Sequence, residues 1–322
     1  MPSSPFPSLR SILVFATVAL ATPLPAHALM AGSGAALPAD SPALRVDPNS
    51  VDSPWAGVGS LSINGEVYSG VLISPRYVLT AAHVVAGVVP EAIRFNLNWG
   101  SDLTQTLAVQ KVVRHPDYVG FGRPDLRYDL AILELATEAP SGVPHYDLMR
   151  TPIEAGTTIT LVGYGASGDG RYGPTIAASA GVKRVGRNVA DRIEVDAVSG
   201  RGVLYAFDFD APAAGFNSVG GTSLGNRIET TVAGGDSGSP AFVRDEDGRW
   251  RLAGINSFQA KSRPAQTAGS FGTLGGGQLV AGYSEWIDGV VQPLPALRSD
   301  LPLLLGVGLT GIVLVGRRAI RR

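Results

Sequence analysis

Short apolar stretches recur along the chain between residues 55 and 260, and turn-forming residues separate them. Such stretches, rich in branched and aromatic side chains, are typical of β-strands in antiparallel sheets. The pattern predicts strands over residues 56–63, 67–73, 77–80, 107–113, 130–135, 158–164, 193–198, 203–210, 241–243 and 250–256. A spacing of about a dozen residues favours an all-β fold of barrels or sandwiches.

Local signals divide this pattern into segments. The tetrapeptide DEDG at residues 245–248 joins the last two predicted strands, and its Asp-Gly pair favours a hairpin. Residues 283–287 predict a short closing helix. Residues 29–51 are rich in Ala, Pro, Ser and Asp without periodicity, which predicts a linker or propeptide before a domain over residues 52–290.

The composition is that of a globular domain. The chain has 322 residues, of which 45% are hydrophobic and 16% are charged, and its 41 glycines suit tight turns between short strands. Of the 26 basic residues, Arg10 stands near the start and five follow residue 290, whereas only one of the 27 acidic residues does. The part between therefore carries a net charge of −6, which argues against nucleic-acid binding. The absence of cysteine excludes thiol nucleophiles, thiolate metal ligands and disulfides.

Residues 1–28 have the plan of a secretory signal peptide. Arg10 supplies an early positive charge, residues 12–20 are largely apolar, and small residues flank His27 in the sequence AHA that ends at Ala28. Cleavage is expected after Ala28. An uncleaved anchor is the alternative, but nine residues are too few to span a bilayer, which takes about 20. We therefore expect an exported protein in the periplasm, at the cell surface or outside the cell.

The C-terminal residues 291–322 predict a sorting tail or membrane anchor. Residues 301–316 are uncharged and are followed by an arginine cluster over residues 317–322, which could reach the membrane interface but is costly to bury. The order of a PLPA motif at residues 293–296, an apolar stretch and arginines resembles the tails of bacterial exosortase substrates, although Gln292 departs from their pattern. The resemblance implies two partners, an exosortase-type processing enzyme and a membrane.

The stretch GGDSGSP at residues 234–240 carries the strongest chemical signal. A serine between glycines needs a sharply bent backbone that projects its hydroxyl and turns N–H groups toward one point. A carbonyl oxygen that gains negative charge during acyl transfer would be held there by the N–H groups of Gly235 and Ser237. Taken alone, such a cluster is more often an ordinary turn.

A nucleophilic serine needs a base, and the base needs an orienting acid. Three histidines follow the leader, namely His83, His115 and His145. His83 comes after an apolar strand and two alanines, which leave room around its ring, whereas His145 is typical of a loop residue. Asp129 stands before the predicted strand 130–135, where burial of its charge would require a partner. A surface Asp before a strand is the plainer alternative.

Taken together, these stretches resemble the trypsin-like serine proteases of the chymotrypsin family. The resemblance rests on TAAH at residues 80–83, DLAIL at residues 129–133 and GDSGSP at residues 235–240, in the order His, Asp, Ser. HPDY at residues 115–118 and GYG at residues 163–165 are weaker echoes, and the first of them makes its histidine a loop residue and not a catalyst.

The resemblance implies an all-β fold of two six-stranded antiparallel β-barrels with a short C-terminal helix. It also implies a catalytic triad of His83, Asp129 and Ser237 in the cleft between the barrels. The expected activity is that of a secreted serine endopeptidase that acts on a protein or peptide substrate. No cofactor and no metal are expected.

The resemblance further implies a substrate pocket. In this family the residue six positions before the catalytic serine lies at the pocket base, and here that residue is Thr231. Ser257 and Phe258 would lie along the bound peptide, and Gln259 would narrow the entrance. An uncharged base implies poor cleavage after Lys or Arg, because a buried cation would lack a counter-ion. Small or medium uncharged side chains are expected instead.

Three acidic residues have no role assigned by the triad or the pocket. The family's Ile-Val-Gly-Gly start, whose freed ammonium pairs with the Asp before the catalytic serine, is absent, so Asp236 has no partner in the sequence. Cleavage after Arg45, which would free the nitrogen of Val46, is one candidate source of such an ammonium, although the stretch from Val46 to Trp55 is short. Asp208 and Asp210 point the same way along a strand; we favour a solvated strand edge over calcium binding, because calcium needs about six or more ligands.

Two further functions compete with the peptidase. A pseudoprotease would bind a partner and cut nothing, but such proteins usually lose a member of the triad. An α/β-hydrolase esterase would place its serine first and carry Gly-x-Ser-x-Gly, whereas this chain has Ser239 at the last position of that motif.

Overall fold

Two large antiparallel sheets and one small sheet form the framework of the protein. The structure is a computed structural model that describes residues 29–32, 41–121, 125–211, 216–225 and 227–292. In chain order the strands are β1 (Leu29–Ala31), β2 (Val58–Ile63), β3 (Glu66–Ser74), β4 (Tyr77–Thr80), β5 (Ile93–Asn96), β6 (Thr106–Arg114), β7 (Ala131–Leu135), β8 (Thr157–Gly163), β9 (Ser167–Asp169), β10 (Gly173–Ile176), β11 (Arg184–Ala190), β12 (Arg192–Val195), β13 (Gly202–Asp208), β14 (Pro240–Arg244), β15 (Trp250–Ala260) and β16 (Leu274–Leu279). The α-helices are α1 (Ala82–Val85) and α2 (Ser284–Val291), and 3-10 helices cover Pro42–Arg45, Pro90–Ala92, Trp99–Ser101 and Val280–Tyr283. The small sheet has the order β1-β9-β10.

The first sheet closes into a barrel in the order β2-β3-β4-β7-β6-β5. Side chains alternate across each strand, so one apolar set faces the interior. The fully buried side chains of this sheet include Val58, Leu61, Val71, Leu79, Phe95, Ile132 and Leu133, and adjacent members such as Ile132 and Leu133 show that both faces of the sheet are covered. Closure pairs β2 with β5, and Ser60 lies opposite Asn96.

The second sheet has seven strands in the order β11-β8-β14-β15-β16-β13-β12. Its core contains Ile159, Leu161, Tyr205, Phe207 and Ala241. Trp55, just before β2, packs its ring 5.2 Å from that of Phe242 in β14, measured between centroids. The two sheets therefore share an apolar interface, and residues at the ends of their strands meet along it.

The predicted all-β class is confirmed, with two barrel-like sheets and one short C-terminal helix. The second sheet has seven strands where six were expected. The predicted hairpin is present, because β14 and β15 pair antiparallel on either side of Gly248, whose φ is +77°.

The structure differs from the expected linker over residues 29–51. β1 pairs in parallel with β9, and Leu29, Met30 and Ala31 are fully buried. Residues 41–51 also pack on the domain, where the carboxylate of Asp47 lies 3.5 Å from the ammonium of Lys183. β1 was not predicted, because three consecutive apolar residues are too few to show the pattern of a strand.

The expected leader over residues 1–28 lies outside the described residues, as does nearly all of the expected tail. In the part of the chain that the structure describes, no helix has both the length and the apolar character to cross a membrane.

Candidate active site

His83 and Asp129 meet at one edge of the first barrel. β4 runs antiparallel to β7, with Thr80 opposite Ala131, so the residues after β4 lie beside those before β7. Oδ2 of Asp129 lies 2.7 Å from Nδ1 of His83, and Oδ1 accepts the backbone N–H of His83 at 2.8 Å. Asp129 is buried. This pair of contacts fixes the orientation of the imidazole and leaves Nε2 turned away from the carboxylate.

The loop that carries Ser237 packs against the same edge. The Ser237 carbonyl accepts the N–H of Ser69 in β3 at 3.0 Å. At Gly238, whose φ is +82°, a Cβ would lie 2.0 Å from Oγ1 of Thr80 and 2.3 Å from the carbonyl oxygen of Ser69. Only glycine fits this contact, and Thr80 stands three residues before His83 in the sequence. The close contact brings the serine loop to the edge that holds His83.

Two N–H groups of this loop are free to bind an oxyanion. Gly235 has a φ of +95°, which bends the backbone before Ser237. Within the described residues, the N–H groups of Gly235 and Ser237 have no hydrogen-bond acceptor. An unpaired pair of donors beside a serine hydroxyl is the arrangement that stabilises a developing negative charge.

A cavity of about 150 Å³ opens beside Ser237. Its lining consists of Phe121, Val232, Ala233, Gly234, Asp236, Ser237, Asn256, Ser257, Phe258 and Gln259. The ring of Phe121 lies 4.6 Å from that of His83, so the cavity extends from the serine toward the histidine.

Three of the four residues predicted to bind substrate line this cavity, namely Ser257, Phe258 and Gln259. Nε2 of Gln259 donates to the carbonyl of Val232 and so ties two walls of the cavity together. Thr231, the predicted base, is fully buried and is not in the lining, which begins at Val232. Its hydroxyl has no partner among the described residues.

Asp236 anchors the loop from inside the protein. Its carboxylate accepts the N–H of Gly165 at 2.8 Å and that of Ala233 at 2.9 Å. Burial raises the pKa of Asp236 to about 7, against the opposing effect of these N–H donors and of Arg184. At Gly165 a Cβ would lie 2.5 Å from the backbone nitrogen of Asp236, so this close approach requires glycine.

Comparison with known proteins decides the family. A family model described as Trypsin matches residues 45–287. This chain belongs to the trypsin family. It is similar to phenoloxidase-activating factor 1 of Holotrichia diomphalia, with 26% identity over 74% of this chain and 67% of that protein. It is also similar to vitamin K-dependent protein C of Mus musculus, with 27% identity over 73% of this chain and 48% of that protein.

A bacterial relative is matched over more of its length. A putative peptidase of Corynebacterium glutamicum is 26% identical over 87% of this chain and 79% of that protein. Among solved structures, neuropsin, a serine protease expressed in the limbic system of mouse brain, superposes with a TM-score of 0.53. That match covers 75% of this chain and 96% of neuropsin at 20% identity, and it shows the shared fold.

The other two histidines of this trypsin-family domain stand apart from Ser237. His115 is buried in an aromatic cluster, 5.0 Å from the ring of Tyr128 and 4.8 Å from that of Trp286, and burial lowers its pKa. His145 is exposed. Sequence reasoning did not single out Asn256, whose amide donates to the Ser239 hydroxyl at 2.9 Å. The sequence feature that could have indicated Asn256 is its position as a polar residue at the end of the apolar predicted strand 250–256.

Asp208, the last residue of β13, and Asp210 just after it are not at a solvated strand edge, which corrects that expectation. Asp208 and Asp210 are 1% and 6% exposed, because residues 216–225 fold over them. Oδ2 of Asp208 accepts the N–H of Val219 at 3.2 Å, and Glu229 accepts the N–H of Asp210 at 2.6 Å. No group of three or more His, Cys, Asp or Glu in the described ranges is placed to hold a metal ion.

Proposed function

We propose that this chain is a serine endopeptidase in which His83, Asp129 and Ser237 form the catalytic triad. The observation that carries the proposal is the double contact of Asp129 with the ring and the backbone of His83, at 2.7 and 2.8 Å. It selects the tautomer in which Nδ1 carries the proton and Nε2 is free to act as a base. The packing of the serine loop against Thr80 supports the assignment of Ser237 as the residue that His83 deprotonates.

The proposed reaction proceeds through an acyl-enzyme. Nε2 of His83 takes the hydroxyl proton of Ser237 while Oγ attacks the peptide carbonyl, and Asp129 stabilises the imidazolium. The N–H groups of Gly235 and Ser237 hold the oxyanion. Nε2 then gives its proton to the leaving amine, and a water molecule repeats the sequence to release the acid.

We further propose a preference for small or medium uncharged side chains. Asp236 is the only ionisable residue in the lining of the described cavity, and buried N–H groups already hold its carboxylate. A substrate Lys or Arg would therefore enter without a counter-ion. Gln259 supports the size limit, because its side chain connects two walls of the cavity.

We also propose that the protein is exported and attaches to a membrane through residues 291–322. An exosortase-type enzyme would process this tail. These proposals rest on the sequence of the two ends of the chain.

The proposed nucleophile is tested by Ser237→Ala. The variant should keep the fold, because the described contacts of Ser237 with its neighbours use its backbone. Its kcat for peptide hydrolysis should fall about a million-fold, as for serine proteases that lose their nucleophile. Hydrolysis by purified wild type and variant, compared at equal thermal stability, checks this. Near-normal turnover by the variant would show that another group attacks the substrate.

A further inference from the structure

The residue before Asp129 has a strained backbone. Tyr128 has a φ of +66°, in the left-handed region that an aromatic residue rarely adopts. Its carbonyl accepts the N–H of Leu130 at 2.8 Å, so a tight turn is centred on Asp129. A conformation of this kind persists only where the surrounding structure holds it. The contacts that hold Tyr128 therefore also set the direction of the Asp129 carboxylate.

A buried glutamine of β16 holds this turn from inside the protein. Gln278 is 0% exposed, and its amide nitrogen donates to the carbonyl of Leu126 at 2.7 Å. Its amide oxygen accepts the hydroxyl of Tyr283 at 3.0 Å, and the Tyr283 oxygen in turn accepts the N–H of Tyr128 at 3.3 Å. Gln278 thus reaches the segment before the turn at two points, one directly and one through Tyr283.

The amide of Gln278 also contacts the substrate side of the site. Its nitrogen donates to the hydroxyl of Ser257 at 3.1 Å, and Ser257 lines the cavity beside Ser237. Leu126, Asp129 and Ser257 also line a second, smaller cavity. Both N–H groups and the oxygen of the amide are therefore used, which leaves it a single orientation. One side chain thus connects the turn that carries the proposed acid to a wall of the proposed substrate cavity.

The contacts on the solvent side of this segment are weaker. Arg127 pairs with Asp125 at 2.8 Å and with Asp196 at 2.9 Å, and its side chain is 30% exposed. Ion pairs that water reaches stabilise a structure little, because hydration competes with them. A buried amide has no such competitor, and its loss would remove the buried partner of the Leu126 carbonyl and of two hydroxyls. The interior contacts of Gln278 therefore dominate.

We propose that Gln278 is a positioning residue of this peptidase, which holds the turn at Asp129 so that the carboxylate keeps its two contacts with His83. Its amide acts through Tyr283 and Leu126 and takes no part in the bond-forming steps. The contacts that it protects are 2.7 and 2.8 Å long, and a shift of about 1 Å in such a group can reduce turnover about 100-fold. The inference rests on the proposed triad and adds a residue outside it.

The test removes the amide and keeps the length of the side chain. Gln278→Met should lower kcat for peptide hydrolysis about 30- to 100-fold, because the carboxylate then loses its alignment with His83. KM should stay within about threefold of wild type, because β15, which carries Ser257, is held by the neighbouring strands on both sides. Steady-state hydrolysis, with kcat normalised to the fraction of chains that a fluorophosphonate labels at completion, measures both constants.

Gln266→Met is the matched control. The amide of Gln266 is also buried, and it donates to the Phe271 carbonyl and to the Thr273 hydroxyl, both at 2.9 Å. This variant should lower the melting temperature and leave kcat within about threefold of wild type, because its contacts do not reach the turn at Asp129. An equal loss of kcat in the two variants would overturn the inference.

A second comparison, in the background of Asp129→Asn, separates positioning from stability. Once the acid is lost, Gln278→Met should lower kcat by no more than about threefold further, because the two side chains act as one unit. A merely structural role would lower kcat by the same factor in both backgrounds, and that result would also overturn the inference.

Tyr283→Phe provides a milder variant, because it removes only the hydroxyl between Gln278 and Tyr128. It should show the same pattern with a smaller loss of kcat, and it decides the question if Gln278→Met does not fold. An active wild type whose kcat is unchanged by Tyr283→Phe would overturn the inference and leave the peptidase intact. If the wild type hydrolyses no peptide of a mixed library, the proposed function itself fails.

Discussion

Asp129 acts on His83 through two different oxygens, and the contacts have different chemical consequences. Oδ1 accepts a backbone N–H and Oδ2 faces Nδ1 of the ring. An asparagine has nearly the same shape but only one acceptor oxygen, so it would satisfy one contact and present an amide to the other. The ring would then favour the tautomer whose Nε2 carries a proton and does not act as a base.

We expect Asp129→Asn to reduce kcat by about 10⁴-fold, the scale known for such triads. The melting temperature should change little, because the volume is unchanged and the backbone contact survives. Steady-state hydrolysis and thermal unfolding of the same preparation check both points. A variant within about tenfold of wild-type kcat would show that Asp129 does not orient the base.

A second group of acids affects stability and not chemistry. Asp191, Asp210 and Glu229 lie near Asp208 beneath residues 216–225. Burial, with the neighbouring carboxylates, raises the pKa of Asp191 to about 7 and that of Asp210 to about 6. A carboxyl group with a raised pKa in the folded state destabilises the fold as pH rises from about 4 through that pKa.

Asp191→Asn should therefore stabilise the protein at pH 8 by about 1 kcal/mol, a value that allows for partial solvent screening. At pH 5 the gain should vanish, because Asp191 is protonated there in the wild type. Denaturant unfolding of both proteins at the two pH values measures the difference. A constant gain at pH 5 and pH 8 would mean that the charge of Asp191 is not its cause.

Some strands could be predicted from the sequence and others could not. β2, β3, β4, β6 and β7 follow from alternation or apolar runs, and the structure places them within two residues of the predicted bounds. β16 was not predicted, since three of its six residues are glycines, which disfavour strands. Those glycines accommodate neighbouring groups: a Cβ at Gly275 would lie 2.6 Å from the ring of Phe207, and one at Gly277 would lie 1.8 Å from the carbonyl of Ile255.

Local motifs name the residues of the proposed site but not its surroundings. His83, Asp129 and Ser237 each stand in a short pattern whose chemistry needs those residue types. Val232 lines the cavity in place of Thr231 because of long-range packing, which no local pattern encodes. The buried Asn256 is of the same kind, since its role follows from a contact with Ser239.

Strand β15 carries Gln259, whose side chain forms part of the cavity wall. Gln259→Gly should raise kcat/KM for peptides with an aromatic side chain before the cleaved bond by about tenfold or more, because the larger ring then gains buried contact. Peptides with alanine there should change little and serve as the control. A peptide library profiled with both proteins tests this. Dominant cleavage after Arg or Lys by the wild type would contradict the uncharged pocket.

At the scale of the whole molecule, stability comes without disulfides, since the chain has no cysteine. Two apolar clusters, one centred on each sheet, supply the buried surface. Trp55, just before the first barrel, contacts Phe242 and Trp250 of the second sheet at 5.2 and 4.7 Å between ring centroids, so one of these clusters spans both sheets. The cleft that holds the proposed triad is thus set by packing between the sheets.

The arginine-ended tail leads to a prediction about location. Full-length protein should fractionate with membranes in the cells that make it, and removal of residues 291–322 should release it to the soluble fraction. Replacing the four terminal arginines with serine is a milder variant that should weaken retention, because the cluster limits passage of the tail through the membrane. Equal solubility of full-length and truncated protein would rule out a membrane role for the tail.

The central claim is that Ser237 is a nucleophile activated by His83 and Asp129. Its most direct test is a fluorophosphonate probe, which forms a covalent bond only with an activated serine, applied to purified protein that comprises residues 29–292. Intact mass and peptide mapping should show one probe per chain, on Ser237, and no labelling of Ser237→Ala or of heat-unfolded protein. A folded protein that stays unlabelled, or one labelled at a different serine, would contradict the account.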